Sequence, residues 1–455
     1  MNACKARRGG AALAGFVLWI EGWLLASCTA APPAAPASPP EEQGLPIHGS
    51  LRARYRYRST SDEDDHDLYD TLTLDVGDPK HQPLTGHVLA WSNFDLDERA
   101  SRSSPDPFFD LSDTYDGDLA ARLYHAWVDK PGVEGLEVLR VGRQPLYEAP
   151  EVVTFDGARV ETSERGARDV RAGAYGGVPV HFFESSSSGD LVLGTFVEGR
   201  PWSGGRARLD WMHLEDEEVL ADHENDLLAA SLWQTLGRPL RLEGAFSWLE
   251  GRGRDARLGG TWTDAEHSLR VRASFYEMFS TQRDLASEVD PFYQALLEYF
   301  PFYRAQVLVS KDLGERYRVE AGSEVRQLRD EGDEGEFNRE YARHHARFAV
   351  DDLFGGGVTL DLDGEVWDGG QGSYRTWGAD VEKRWSERWK TALGSHYSLY
   401  KIDLFGLRER DDVRSWTLGV SYDRTKNTAF DMSYEYEDDD LDEFHVLRLG
   451  VSWRF

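Results

Sequence analysis

The stretch Leu51-Arg52-Ala53-Arg54-Tyr55-Arg56-Tyr57-Arg58 decides the fold. Its odd positions are apolar or aromatic and its even positions are all arginine, a period of two. Successive side chains of an extended chain point to opposite faces, so this run makes a strand with one greasy and one cationic face. A helical period of 3.6 would scatter the arginines around a cylinder. The same design recurs downstream. Leu269, Val271, Ala273 and Phe275 alternate with Ser268, Arg270, Arg272 and Ser274, and Tyr317, Val319, Ala321 and Val325 oppose Arg316, Arg318, Glu320 and Arg326. Val358, Leu360, Leu362 and Val366 oppose Thr359, Asp361, Asp363 and Glu365, and Trp416, Leu418, Val420 and Tyr422 oppose Ser415, Thr417, Gly419 and Ser421.

A soluble sandwich also alternates, but three features select a closed transmembrane barrel. The runs often reach about ten residues, the length of a tilted membrane crossing. Their apolar faces begin or end in Trp or Tyr, the residues of interfacial girdles. The chain closes on Leu447-Arg448-Leu449-Gly450-Val451-Ser452-Trp453-Arg454-Phe455, whose apolar set ends at Phe455 and resembles the assembly signal read by the outer-membrane barrel-assembly machinery. Short turns fall at residues 237–239, 312–315, 355–357, 386–388 and 424–427, with longer or more acidic segments at 278–302, 327–340, 401–413 and 437–443. Walking backward from a periplasmic C-terminus puts every short turn in the periplasm and every acidic segment outside. The walk ends at about 22 strands between residues 48 and 455, an all-β antiparallel up-and-down barrel. A barrel that wide does not fill its own interior.

Composition excludes several alternatives. The chain has 455 residues and a formal charge of −30, which repels nucleic acid. Fifteen Trp, 19 Tyr and 21 Phe give it the burial capacity that a disordered acidic chain lacks. Mean hydropathy is −0.56 and no long apolar span follows the N-terminus, which rules out a helical membrane protein but not a barrel, where only alternate residues need be apolar. Lys5, Arg7 and Arg8 followed by the apolar run Ala11–Ala26 read as an export signal interrupted by Glu21. Two processing outcomes fit. Leu25-Ala26-Ser27-Cys28 resembles the lipobox whose cysteine is acylated, and Cys28-Thr29-Ala30 offers small residues before an ordinary cut. Residues 29–47 form a Pro/Ala-rich tether. Cys4 and Cys28 are the only cysteines, so a mature barrel has no disulfide and rests on its sheet.

With apolar sets toward lipid, the arginines line the lumen. The opposite register would expose each of Arg52, Arg54 and Arg56 at mid-membrane, at about 2–4 kcal/mol apiece. Arg206, Arg208, Arg270, Arg272, Arg316 and Arg318 join them, giving a basic interior beneath the acidic clusters at 62–65, 215–218, 330–334 and 437–440. Arginines so placed make an anion-selective path, because guanidinium stays charged and pairs bidentately with carboxylate and phosphate; alternatively they pair with lumen acids such as Asp361, Asp363 and Glu365 to brace the wall. The acidic loops are solvated or bridge to lipopolysaccharide, and none matches a calcium loop. No cofactor or metal set is legible. Two other functions remain in play: a sheath around a partner protein, without a haem of its own because Cys-x-x-Cys-His is missing, and an outer-membrane hydrolase using His344, His345 or His396, which no spacing assembles.

Val141-Gly142-Arg143-Gln144-Pro145-Leu146-Tyr147 and Phe155-Asp156-Gly157-Ala158-Arg159-Val160 together resemble a motif pair of alginate-export-like outer-membrane porins, in which a strand ending Gly-Arg-Gln leads through a loop to Phe-Asp-Gly. The resemblance covers residues 141–160, and the Trp and Asn of the family pattern are missing before Phe155. It implies an arginine-lined channel of about 18 strands for an acidic polysaccharide. Carried over, it places Arg143 and Arg159 in the lumen near a constriction, with Gln144 and Asp156 supporting the loop between them.

Overall fold

The structure, a computed structural model, describes residues 45–96, 119–180, 190–217, 222–280, 300–330, 340–369, 372–403, 408–439 and 442–455, with Phe108 and Gly332. The export signal, Cys28 and the tether as far as residue 44 lie outside the described residues. The first strands are β1 (Ile47–Ser59), β2 (Asp64–Val76), β3 (Thr85–Asp95), β4 (Leu119–Asp129), β5 (Leu136–Leu146), β6 (Val153–Thr162), β7 (Arg171–Pro179) and β8 (Leu191–Gly199). Then come β9 (Gly205–Glu217), β10 (Asp222–Leu236), β11 (Leu240–Leu249), β12 (Arg252–Asp264), β13 (Leu269–Met278), β14 (Phe302–Leu313) and β15 (Tyr317–Leu328). The circuit ends with β16 (Tyr341–Leu353), β17 (Val358–Gly369), β18 (Gly372–Arg384), β19 (Trp389–Asp403), β20 (Arg408–Thr425), β21 (Thr428–Asp438) and β22 (Glu443–Arg454).

Every strand pairs antiparallel with its chain neighbours, and β22 pairs with β1, so the 22 strands close into an up-and-down barrel. The ring is sealed where the amide of Gly49 donates to the carbonyl of Phe455 at 3.0 Å and the amide of Phe455 returns the bond at 3.0 Å. Closure gives every strand a partner on both sides, with one local opening between β4 and β5, and so meets the requirement for crossing a bilayer with strands. The strand walk from the C-terminus agrees with this count, whereas the smaller barrel implied by the motif resemblance does not. An even number of antiparallel strands puts Pro46 and Phe455 at one end. The short connections of β2 to β3, β10 to β11, β14 to β15, β16 to β17, β18 to β19 and β20 to β21 share that end. In the first of these the amide of Lys80 and the ring of His81, 2.9 and 2.7 Å from the carboxylate oxygens, hold Asp78 below the usual carboxylate range.

Register fixes the two faces. Leu51 lies opposite Leu72 and Trp453, and Tyr55 opposite Leu68 and Leu449, on the outside; Arg56 lies opposite Asp67 and Arg448 on the inside. The outer face is greasy around the ring, with Val141, Leu209, Leu258, Leu393, Trp377 and Trp416 all at least half exposed. Aromatic rings mark two levels on it. Near the short-turn end Trp389 stacks on Tyr422 at 4.4 Å, Tyr317 on Phe348 at 6.2 Å, and Trp453 lies 4.8 Å from Phe455. Nearer the other end Trp377 lies 4.1 Å from Tyr397 and Tyr436 lies 5.1 Å from His445. Trp389 and Tyr397 sit on one strand at opposite levels, and their spacing at ~3.4 Å per residue gives about 27 Å along the strand, or about 21 Å in height at a tilt of ~40°. That matches a hydrocarbon band flanked by aromatic girdles.

Candidate functional site

The interior wall divides into regions of different character. A circular ring of 22 strands, spaced ~4.8 Å and tilted by ~40°, is about 44 Å across from backbone to backbone. Side chains on the wall cannot bridge that width, so the site is a lined wall rather than a packed core.

On the wall from β6 to β12 the connection between β5 and β6 folds inward. Leu146, Val153 and Phe155 at its base are buried in an apolar cluster with Tyr175, Val192, Met212, Leu214, Leu227 and Leu249. Two arginines beneath hold the loop by its acids. Arg208 reaches Glu148 at 2.7 Å and Asp210 at 2.7 Å, with its guanidinium 4.0 Å from the Phe196 ring centroid. Arg254 reaches Glu151 at 2.8 Å, Asp255 at 2.9 Å, the carbonyl of Pro150 at 2.9 Å and Ser247 Oγ at 3.1 Å. A β-bulge aims Arg254. Ser247 pairs with Asp255 while Trp248 pairs with Gly253, so Arg254 is the extra residue and turns inward beside Asp255. Under the loop lies a cleft of about 300 Å³ whose wall includes Arg206, Arg257 and Trp233. Arg206 sits 4.4 Å over the Trp233 ring and bonds Glu198 at 2.5 Å, while Arg257 is 62% exposed, with Asp255 at 3.5 Å.

Of the arginines expected in the lumen, Arg52, Arg54, Arg56, Arg159, Arg206, Arg208, Arg270, Arg272 and Arg318 occupy inward positions. Most brace the wall. Arg56 bonds Asp67 at 2.5 Å, Arg159 pairs with Glu161, and Arg318 bonds Asp312 at 2.7 Å. Arg316 lies in the turn before β15 and comes within 3.8 Å of Asp352. Four are different. Arg52 and Arg54 on β1, and Arg270 and Arg272 on β13, are exposed and have no carboxylate within 4.0 Å among the described residues. Their register neighbours are neutral: Thr71, Ser452, Tyr69 and Gly450 around the first pair, Thr261, Thr263, Ser310 and Leu308 around the second. Eleven strands separate β1 from β13 one way and nine the other, so the two pairs face each other across the ring. Arg241 on β11, opposite Thr261, extends the β13 patch.

Two expectations fail. Arg143 is outside, not in the lumen. It shares a face with the exposed Val141 and lies opposite Ala126 and Asp156, and it bonds Asp156 at 2.9 and 2.7 Å. Simple parity with Val141 gives this result; the motif resemblance overrode it. Gly142, at φ +126°, presses so closely on β4 that a Cβ there would lie 2.2 Å from the carbonyl oxygen of Ala126. Beyond it β4 and β5 part, paired only from Ala126–Arg143 to Asp129–Arg140, and the Arg143 guanidinium spans the seam by donating to the carbonyl of Leu123 at 3.0 Å. Nor is the interior uniformly basic. Asp361, Asp363, Glu365, Asp380 and Glu382 face inward on β17 and β18, with Arg347 on Asp361 and Arg343 on Glu365. Some of the acids expected in loops stand in the wall as well, Asp65 being buried against Arg58 at 2.6 Å. Gln144 is buried, and its amide donates toward the carbonyl of Gly157 at 3.3 Å beneath the loop. The histidines do not assemble: His344 lies on the outer face opposite Val366, His345 on the inner face opposite Glu365, and His396 on the inner face of β19.

No protein-family model matches the chain, and no curated protein is similar to it in sequence. Solved structures are similar in shape. The P pilus usher (PapC) translocation pore superposes with a TM-score of 0.50 at 9% identity, covering 90% of this chain and 99% of that one. A BenF-like porin from Pseudomonas fluorescens Pf-5 gives 0.45 at 10% identity over 91% and 99%, and OccK3 (OpdO) of Pseudomonas aeruginosa gives 0.41 at 15% over 90% and 95%. Identities this low speak to architecture alone. The chain has the fold of a transmembrane β-barrel, closed at 22 strands like a ring in which every strand meets its sequence neighbours.

Proposed function

We propose that the protein is an outer-membrane channel that favours anionic solutes. The observation that carries this reading is a set of guanidiniums with no carboxylate within 4.0 Å among the described residues, Arg52 and Arg54 facing Arg270 and Arg272 across a closed barrel. A cation braced by a carboxylate presents little net field to a passing ion, whereas an unpaired one attracts anions. The greasy outer band with its two aromatic levels supports a bilayer site, and the signal-like N-terminus supports export to the outer membrane, with lipopolysaccharide around the barrel and the barrel-assembly machinery reading the strand that ends at Phe455. The usher translocation pore, similar in shape, agrees with a conducting role. Solutes carrying carboxylates suit the cleft beneath the inward loop, where Arg206 and Arg257 stand beside Trp233. An acidic polysaccharide is one such solute.

Planar-bilayer recording in a salt gradient tests the proposal. The purified protein gives discrete conductance steps with a reversal potential of anion preference, and added uronate oligomers reduce the current. Preference for cations, or no conductance at all, overturns it.

A further inference from the structure

We infer that the inner wall carries a binding site for a divalent transition-metal ion, formed by Asp363, Asp380 and His396. The three come from adjacent strands β17, β18 and β19, and one ligand atom from each lies within 4.8 Å of the others. His396 Nε2 is 3.2 Å from Asp380. Glycines shape the arrangement. Gly378 lies between Asp363 and His396 in the register, and a Cβ there would fall 2.1 Å from His396 Nδ1 and 2.8 Å from Asp363 Oδ1. The imidazole and the carboxylate thus occupy the room that a side chain would take. Gly394 does the same for Asp380, which comes within 2.3 Å of its absent Cβ.

Charge separates this cluster from the acids around it. Asp361 is matched by Arg347, Glu365 by Arg343, and Glu382 by Lys390 at 3.0 Å. Asp363 and Asp380 have no Arg or Lys within 4.0 Å among the described residues. Two carboxylates and a neutral imidazole carry a charge of −2, which a divalent ion balances. The wall supplies three ligands on one side and leaves the lumen side open for water, the pattern of an accessible site rather than a closed structural one. One nitrogen with two oxygens suits Zn²⁺ and its neighbours in the first transition row better than Mg²⁺ or Ca²⁺, which prefer oxygen alone. The other histidine–carboxylate group found among the described residues, His213 with Glu215 and Glu224, differs in its face: His213 shares the outward parity of the exposed Leu209 and Trp211.

The site is independent of whether the barrel conducts, so it is tested by binding. Full-length protein in detergent, folded by the criterion of heat-modifiable electrophoretic mobility, is titrated with Zn²⁺ alone near pH 7. One site of micromolar strength is expected. His396→Asn and Asp380→Asn each weaken it at least about tenfold. Gly378→Ala keeps every ligand but fills the hollow, and weakens it as well. His344→Asn, on the outer face, leaves it unchanged. No binding below millimolar Zn²⁺, or equal affinity in the wild type and the His396→Asn and Gly378→Ala proteins, overturns the inference. If one variant fails to fold, the remaining two decide.

Discussion

The wall from β6 to β12 and the facing patches on β1 and β13 use the same residue for opposite ends. On the first, Arg208 and Arg254 are buried and surrounded by acids, and they hold a loop in place. On the second, Arg52, Arg54, Arg270 and Arg272 are exposed on the inner face and touch no acid among the described residues. A guanidinium deprived of water requires carboxylates to offset desolvation; one in a wide aqueous lumen keeps its hydration and its field. Burial therefore decides which arginines are mortar and which keep their charge uncompensated by a neighbouring carboxylate.

The sharpest way to break this contrast is Arg254→Ala. It leaves Glu151 and Asp255 without their guanidinium in a buried setting, at a cost of about 3–5 kcal/mol. The expected result is a lower denaturant midpoint, together with release of the loop, read as proteolysis near Pro150 in the folded protein. An unchanged midpoint and an uncut loop would show that the apolar cluster around Phe155 alone seats the loop.

Next comes Gly142→Ala. The backbone at φ +126° suits glycine, and a Cβ there strikes the carbonyl of Ala126 on β4. Strain of about 1–3 kcal/mol is expected, seen as a lower yield of heat-modifiable barrel and a lower urea midpoint. Gly157, in the next strand's register, has neither positive φ nor a role in the seam, and separates strain from crowding.

Neutralising the four open arginines together, as Arg52→Ser, Arg54→Ser, Arg270→Ser and Arg272→Ser, has the opposite signature. Stability stays within about 0.5 kcal/mol per site, as at ordinary exposed positions. The anion-to-cation permeability ratio falls about tenfold, equivalent to about 1.4 kcal/mol in relative ion entry. If selectivity persists, these four arginines do not carry it.

How far the sequence reached follows from period two. Alternation in Leu51–Arg58 fixed the face of every residue in β1, and the turn spacing led to the full strand number, because a strand's register is local once its pattern is strict. Arg254 was hidden since a bulge breaks parity at that point. The partners of Arg208 were hidden as well, Glu148 lying on a loop whose inward fold no local pattern announces. The Asp363, Asp380 and His396 cluster comes from three strands and rests on glycines that read in sequence only as weak strand residues. Arg143 teaches the converse: its neighbour Val141 already pointed outward, and the motif resemblance pointed the wrong way.

Arg143→Ala has the smallest expected effect and the finest resolving power. The pair with Asp156 is partly exposed, its side chains keeping 26% and 49% of their accessibility. An ion pair of that kind contributes about 1 kcal/mol or less. The bond to the Leu123 carbonyl is a different matter, for it satisfies an acceptor on a strand whose partner has departed. If the guanidinium is a clasp across the seam, Arg143→Ala loosens β4 specifically, and amide exchange quickens from Leu119 to His125 while Ile47–Ser59 stays protected. Asp156→Asn removes the charge pair but leaves the arginine free to keep its bond to β4, so exchange there changes less. Equal quickening in both variants would assign the effect to the ion pair and reduce the clasp to an ordinary surface bridge.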